Sequence, residues 1–264
     1  MEFRITDPVK IETFANIFQN AKNVCDQINI DFNEERLYIQ TMDASKISIL
    51  EITIASSWFS SYRCPVPVTI GMMVSLFVKI LSARDKTQGL CIVYDHELAS
   101  DTLHCDMTGE APQGGVKTAF DRSFDLPLME IDTESMSVPP ITYAADFSMP
   151  AVSFSQLIHQ LKQFGDSLDI QCNEHAIAMI AKTTEQGTMK VDIGIDDLSE
   201  FAIEEQCELE LSFSLTQLHL ISSFGKVAKE VTFHLHQEFP LRLDFLGQDG
   251  IKIQYYLAPR MQDE

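Results

Sequence analysis

The chain contains an internal repeat. When residues 14–54 are shifted by 140 positions the apolar pattern recurs without a gap: Phe14, Phe18, Ile28, Ile30 and Ile39 fall on Phe154, Ile158, Leu168, Ile170 and Met179, and Asn33-Glu34 falls on Asn173-Glu174. The register is lost before Ile54, so topology repeats rather than identity. A period this long exceeds the 20–50 residues of a solenoid and marks a whole-domain duplication. With 264 residues the chain has room for two domains of about 130. Two similar halves are a route to a pseudo-symmetric ring.

Four segments carry helical apolar spacing, two in each half. The first spans about Asp7 to Asp26, with Ile11, Phe14, Ala15, Phe18 and Ala21 on one stripe and Pro8 suited to the first turn. The others span about Ile70 to Ala83, Ser153 to Phe164 and Ser214 to Val227. Between them lie short alternating runs of half-buried strands: Arg36–Met42, Ser48–Ile54, Leu90–Tyr94, Thr102–Met107, Glu208–Phe213, Val231–His236, Leu241–Phe245 and Ile251–Leu257. Strands in the majority, with two helices per half, predict an α+β fold in which helices cover one face of antiparallel sheets. Residues 128–145, with Pro139-Pro140 and no Lys or Arg, read as a connecting loop. It divides an N-terminal domain, 1–127, from a C-terminal domain, 146–264.

A formal net charge of -20 argues against nucleic acid, whose phosphates need Lys and Arg. The distribution reverses that judgement. The helical segments and their ends hold Lys10, Lys22, Lys79, Arg84, Lys162, Lys226 and Lys229 against only Asp7, Glu12 and Asp26. Seven of the 19 basic residues thus meet three of the 39 acidic ones, leaving 12 against 36 elsewhere. Lysine is also a good exposed-helix former, but together with the duplication the pattern predicts one basic face. Contacts from such a face go to phosphates and carry no base information.

Six cysteines (25, 64, 91, 105, 172 and 207) form no CxxC pair and read as reduced, buried thiols of an intracellular protein. No run long enough to span a membrane occurs, and the N-terminus lacks the pattern of a signal peptide. Gly114-Gly115 reads as a turn, not a phosphate loop, and neither HExxH nor GxSxG occurs. His234 and His236 read as exposed strand histidines. The acids from Asp192 to Glu210 lack the order of a calcium loop and read as a solvated face. The chain is expected to be neither an enzyme nor a cofactor binder.

The C-terminal stretch Gly250-Ile-Lys-Ile-Gln-Tyr-Tyr-Leu-Ala-Pro-Arg-Met-Gln-Asp-Glu closely resembles the end of the proliferating cell nuclear antigen family, the eukaryotic DNA sliding clamps. Leu37–Ser48, Tyr62-Arg-Cys, Lys79-Ile-Leu, Asp101-Thr-Leu, Glu110-Ala-Pro, Leu128–Asp132 and Phe239-Pro-Leu agree in order and spacing, so the resemblance covers the chain. It implies a head-to-tail homotrimer of two clamp domains per chain, a pseudo-sixfold ring with its helices around duplex DNA. It also implies a polymerase processivity factor without catalytic activity, free of membranes. The implied partners are a DNA polymerase, a clamp loader and other proteins carrying a clamp-binding peptide. The location implied is the nucleus, or a viral replication compartment if the chain is virus-encoded.

The seven helix cations would face DNA. The partner-peptide pocket implied by the resemblance comprises Met42, Lys46, Ile47, Ile49, Met136, Val138, Pro139, Phe239, Pro240, Tyr256, Ala258, Pro259 and Met261. The subunit joint would pair the alternating segment 116–126 with residues 185–193 of the next chain. Its contacts would be Phe120, Phe124, Leu161, Phe164 and Thr188. The chain departs from the family pattern at Lys46, usually His, and at Glu174, where cellular clamps usually carry a modifiable Lys. Asn16, Gln156, His159, Thr216 and Ser223 stand at inner positions that are usually basic, and residues 109–116 look longer than usual.

Overall fold

The computed structural model describes residues 1–95, 101–109, 119–132, 136–183, 185 and 187–260. Chain order is β1 (Glu2–Ile5), α1 (Pro8–Ala21), β2 (Gln27–Phe32), β3 (Arg36–Met42), β4 (Ser48–Ala55), β5 (Ser61–Arg63), β6 (Val68–Met73), α2 (Val74–Ser82), β7 (Gly89–Val93), β8 (Thr102–Thr108) and β9 (Arg122–Pro127). The second half follows with β10 (Ala145–Pro150), α3 (Ala151–Leu161), β11 (Ser167–Cys172), β12 (Ala176–Thr183), β13 (Gly187–Gly194), β14 (Glu200–Ile203), β15 (Leu209–Ser214), α4 (Leu215–Ser222), β16 (Ala228–Leu235), β17 (Leu241–Gly247) and β18 (Ile251–Leu257).

These elements form two compact units. The first takes Met1–Thr41, Glu51–Ser135 and Gln248–Ile251; the second takes Met42–Leu50, Met136–Gly247 and Lys252–Glu264. Strands in the first half run β5-β1-β7-β8-β9 and β4-β3-β2-β6; in the second they run β14-β10-β16-β17-β18 and β13-β12-β11-β15. The two orders match strand for strand, so the 140-residue shift marks a repeated topology.

The shifted positions carry the same physical duty. Phe14 and Phe154, Phe18 and Ile158, Ile28 and Leu168, Ile30 and Ile170, and Ile39 and Met179 are all buried. Asn33 Oδ1 accepts from the amides of Glu35 and Arg36, both at 2.9 Å. Asn173 Oδ1 does the same with His175 and Ala176 at 2.9 and 3.0 Å. Each Asn side chain thus closes the turn between its two strands by mimicking a backbone acceptor.

In the first unit α1 is started by Asp7, whose carboxylate accepts from the amides of Val9 and Lys10, and by Pro8 in the first turn. Its apolar stripe buries Ile11, Phe14, Ile17, Phe18 and Ala21. Phe18 and Phe77 of α2 meet edge to face at 4.7 Å, and Phe3, Phe59 and Trp58 extend the aromatic cluster. In the second unit Phe147 stacks on Phe233 at 4.5 Å, and Phe154 meets Phe233 edge on at 5.5 Å.

Helix boundaries differ from the spacing: α1 ends at Ala21, short of Asp26, and α3 spans Ala151–Leu161 in place of Ser153 to Phe164. Residues 70–73, read as the start of the second helix, belong to β6, which pairs with β2 from Val68↔Phe32 to Met73↔Gln27. A short apolar run with Val, Thr and Ile suits a strand as well as a helix, and the open edge of β2 decides it. The fourth helix ends at Ser222 and tightens into a 3-10 turn over Ser223–Lys226. There the backbone of Gly225 runs so near α3 that a Cβ would sit 2.8 Å from the Ala151 carbonyl oxygen.

No regular element occurs among the described residues from Leu128 to Ala144. The start of this stretch is nonetheless tied down in the first unit. Met129 N donates to Gly71 O at 3.0 Å, and Asn29 Nδ2 donates to Ile131 O at 2.9 Å. A Cβ on Gly71 would lie 2.2 Å from Met129 O, so only glycine lets the loop approach β6 this closely.

Candidate DNA-facing cations, partner pocket and subunit edges

The seven cations split by what they already hold. Lys10 is half-buried: its ammonium donates to Trp58 O at 2.8 Å, pairs with Asp249 at 3.3 Å and sits 5.3 Å from the centre of the Trp58 ring. Arg84 donates from one nitrogen to the carbonyls of Asp85, Lys86 and Gln88, stapling the turn after α2. Burial lowers its pKa against the pull of Glu12 and Asp85. Lys162 pairs with Asp166 one turn on, and that bond holds the Asp166 carboxyl below its usual value. By contrast Lys22, Lys79, Lys226 and Lys229 are exposed, and none makes an ion pair among the described residues. Lys229 lies in β16, not on a helix. The rings of His159 of α3 and His219 of α4 lie 5.5 Å apart, tilted at 35°.

The pocket residues all belong to the second unit, because that unit takes up Met42–Leu50. Ala258 N donates to Ile47 O at 2.9 Å, joining the loop 43–48 to the end of β18. Ile47 and Phe239 are exposed large apolar side chains, at 40% and 38%. Lys46 and Pro139 are exposed; Met42, Ile49, Met136, Val138, Pro240 and Ala258 are half-buried; Pro259 is exposed and Tyr256 is buried. The His236 ring packs on Phe239 at 4.5 Å. Met261 lies outside the described residues, as do Val116 and Lys117. An open cleft of about 310 Å³ in the first unit, lined by Met1, Pro65, Val66 and Val93 among others, includes none of these residues.

The loop beside the pocket is organised by Asp43, a buried carboxylate not singled out in the sequence analysis. Its Oδ1 accepts from the amides of Ile47 (3.0 Å) and Ser48 (2.7 Å) and from Ser48 Oγ (2.9 Å), and Oδ2 from Ser45 N at 3.0 Å. Burial pushes its pKa up, but the Ser48, Ser45 and Ile47 donors outweigh it, and the net direction is down. The signal was available: Asp followed by Ser at the second and fifth positions is turn chemistry.

The predicted joint strands are both sheet edges. Among the described residues β9 neighbours only β8, with Phe124 opposite Cys105 and Leu126 opposite Leu103. In the second unit β13 neighbours only β12, with Thr188 opposite Lys182. Phe124 is half-buried, and Phe120, just before β9, is 85% exposed. Phe164 is half-buried and Thr188 exposed. Leu161 is wholly enclosed by its own unit and presents no surface to a neighbour. It is a core residue because it falls on the buried stripe of α3 with Phe154 and Ile158.

Two other expectations need correcting. Neither His234 nor His236 is an exposed strand histidine: both are half-buried, and His236 lies just past the end of β16, while His234 Nδ1 lies 2.5 Å from Asp146 Oδ1 and its Nε2 lies 2.9 Å from Arg242. The polar residues opposite it on β10 and β17 enclose it. Cys25, Cys91 and Cys207 are half-buried, whereas Cys64, Cys105 and Cys172 are buried. Burial pushes the Cys105 thiol up to about 12 and Cys25 and Cys172 up to about 11, which keeps them protonated. Glu174 has a structural bond of its own, accepting from Gln206 N at 2.7 Å, where Gln206 turns through a positive φ of 59°.

A chain of two topologically matched units, with two helices in each and cations free beside them, belongs to the class of DNA sliding clamps, the processivity factors of DNA polymerases. The family model for the proliferating cell nuclear antigen N-terminal domain matches residues 9–135, and that for its C-terminal domain matches residues 137–260. Proliferating cell nuclear antigen 2 of Drosophila melanogaster is 26% identical over 247 residues, covering 94% of this chain and 93% of the relative. Proliferating cell nuclear antigen of Saccharomyces cerevisiae is 25% identical over 255 residues, 95% of each. Proliferating cell nuclear antigen 2 of Plasmodium falciparum is 22% identical over 257 residues, 95% of this chain and 96% of the relative. The chain belongs to the proliferating cell nuclear antigen family, whose sliding clamps serve DNA replication and repair.

Proposed function

We propose that three copies close head to tail into a ring around duplex DNA. The observation that carries this reading is that both strands of the implied joint are among the six sheet edges: β9 ends one sheet and β13 ends another, each with one neighbour among the described residues. An edge strand left open is a liability, and pairing it with a complementary edge on the next copy removes it. The contact is heterologous, so it generates a closed ring when the rotation closes. Phe124, Phe120 and Phe164 supply its apolar part.

Lys22, Lys79, Lys226 and Lys229 meet the phosphates, while Lys10, Arg84 and Lys162 hold the fold. Contacts of this kind are sequence-independent and let the ring slide. The clamp has no chemistry of its own. It acts in the nucleus and tethers a polymerase, its loader and other clients by a peptide that inserts an aromatic and an aliphatic side chain between Ile47, the residues 136–139, Phe239 and the end of β18. The domains divide at the loop 128–145. Light scattering tests the ring: three chains of 29.8 kDa give about 89 kDa, and a monomer at all concentrations overturns it.

A further inference from the structure

We infer that Gln217 is a positioning residue of the partner pocket, bridging the Asp43 carboxylate and the Tyr255 hydroxyl so that the loop 43–48 keeps the shape that presents Ile47. The inference rests on the pocket reading above. Gln217 stands in the first turn of α4, a helix fixed by buried Leu215, Leu218 and Ile221. Its Nε2 donates to Asp43 Oδ2 at 3.2 Å, and its Oε1 accepts from Tyr255 OH at 3.2 Å. A carboxylate only accepts and a phenol must place its proton, so the two partners fix which end of the amide faces which.

The loop needs such an anchor. Lys46 is held at a φ of 57°, a left-handed conformation that costs a non-glycine residue energy and persists only where the surroundings impose it. Asp43 imposes it from inside by gathering the amides of Ser45, Ile47 and Ser48. A buried charge keeps that geometry only while its remaining oxygen sites are satisfied, and from outside the loop Gln217 does this. Because Ile47 O is bonded to Ala258 N, a shift of the loop is felt on both walls of the pocket. The matching third position of α2 is Leu76, exposed at 40%. The bridge therefore belongs to the second unit and was not copied with the domain.

The test measures binding of a fluorescent peptide bearing one aliphatic and one aromatic anchor to the full chain. Gln217→Leu keeps a branched side chain of nearly the same bulk, one atom shorter, and removes both bonds. It should weaken binding about tenfold, and amide exchange at Ile47 and Ser48 should quicken while the native mass stays unchanged. Gln217→Glu sets a second carboxylate against Asp43. The titratable groups facing it are Asp43 from the loop and Tyr255 from β18, with Lys46 exposed nearby. Its binding should be weak at about pH 8 and recover toward about pH 5.5, as one carboxyl of the pair takes a proton and becomes the donor. Wild type should be flat across that window. Urea melts of the same variant across the same pH window separate the two roles: a residue acting only through global stability would recover binding and urea midpoint in parallel, whereas a positioning residue recovers binding where the folded fraction is already complete.

Wild-type-like binding by Gln217→Leu, or a Gln217→Glu variant without pH recovery, overturns the inference alone. If Gln217→Leu does not fold, the pH profile of Gln217→Glu decides. If wild type itself ignores the peptide, the pocket reading falls and this inference with it.

Discussion

The two units share a strand order and a pair of Asn-closed turns, yet they use their polar groups differently. In the first, α1 and α2 meet through rings, with Phe18 and Phe77 edge to face at 4.7 Å, and the third position of α2 is an exposed Leu76. In the second, the equivalent position of α4 is Gln217, hydrogen-bonded to a buried carboxylate. What the duplication kept is what decides topology: the apolar period that faces the core, and the turn residues that set the hairpins. What it let vary is the helix surface, where the proposed DNA-facing lysines and Gln217 differ between the halves.

The sharpest way to break the equivalence is to truncate the same core position twice. Phe14→Ala and Phe154→Ala each remove a fully buried ring from α1 or α3. Each should lower unfolding stability by about 3–5 kcal/mol. Denaturant melts that differ by more than the spread expected from local relaxation would mean that the cores are not equivalent. Next in size is the edge of the first unit. Phe124→Ala removes an aromatic from the proposed joint and should cost about 2 kcal/mol or more of association at each joint. It should drive the ring toward monomer in light scattering at low protein concentration, and an unchanged mass would move the joint elsewhere.

The Asp43 knot should cost about 2 kcal/mol when broken, because several donors converge on one charge. Its folded pKa is depressed, so its contribution is present above the ordinary carboxylate value of about 3.9 and is lost as pH falls through the folded value. The gap in urea midpoint between wild type and Asp43→Asn should therefore be widest at neutral pH and close on acidification below about pH 4. A constant gap would show that the charge does not matter. The turns come next: Asn33→Ala and Asn173→Ala should each cost about 1 kcal/mol, since each removes an acceptor for two amides. Unequal costs would show that the hairpins have diverged in strength.

The smallest effects per residue separate free from engaged cations. Alanine at Lys22, Lys79, Lys226 or Lys229 should leave the melting temperature alone and flatten the salt dependence of DNA retention. The log–log slope should fall by up to about 0.9 for each phosphate that is no longer neutralised. Alanine at Lys10 or Arg84 should instead lower the melting temperature, because Trp58 O and the carbonyls of the 85–88 turn lose their donor. The reverse pattern would mean that the engaged cations release their partners to meet DNA.

Much of this was legible in the sequence. Strands such as Arg36–Met42 and Ile251–Leu257 have the bounds that alternation gives them, because one face is buried and a slip of one residue would reverse it. The start of α1, with its capping Asp7 and Pro8, was readable for the same local reason. The start of α2 was not, because Val68–Met73 is apolar in either conformation and only pairing with β2 decides. Nor was the state of Lys10, whose partners Trp58 and Asp249 lie far along the chain. Long-range polar bonds leave no period to read, and for that reason the bond from Gln217 to Asp43, 174 positions apart, escaped notice.

The central claim is a ring that holds DNA by topology. The most direct measurement loads the protein onto nicked circular DNA, isolates the complex at high salt and then linearises the DNA with a restriction enzyme. The account predicts that the protein stays on the circle at high salt and runs off the linear product. Equal loss from both forms as salt rises would contradict it and would mean that the cations bind one side of the duplex without enclosing it.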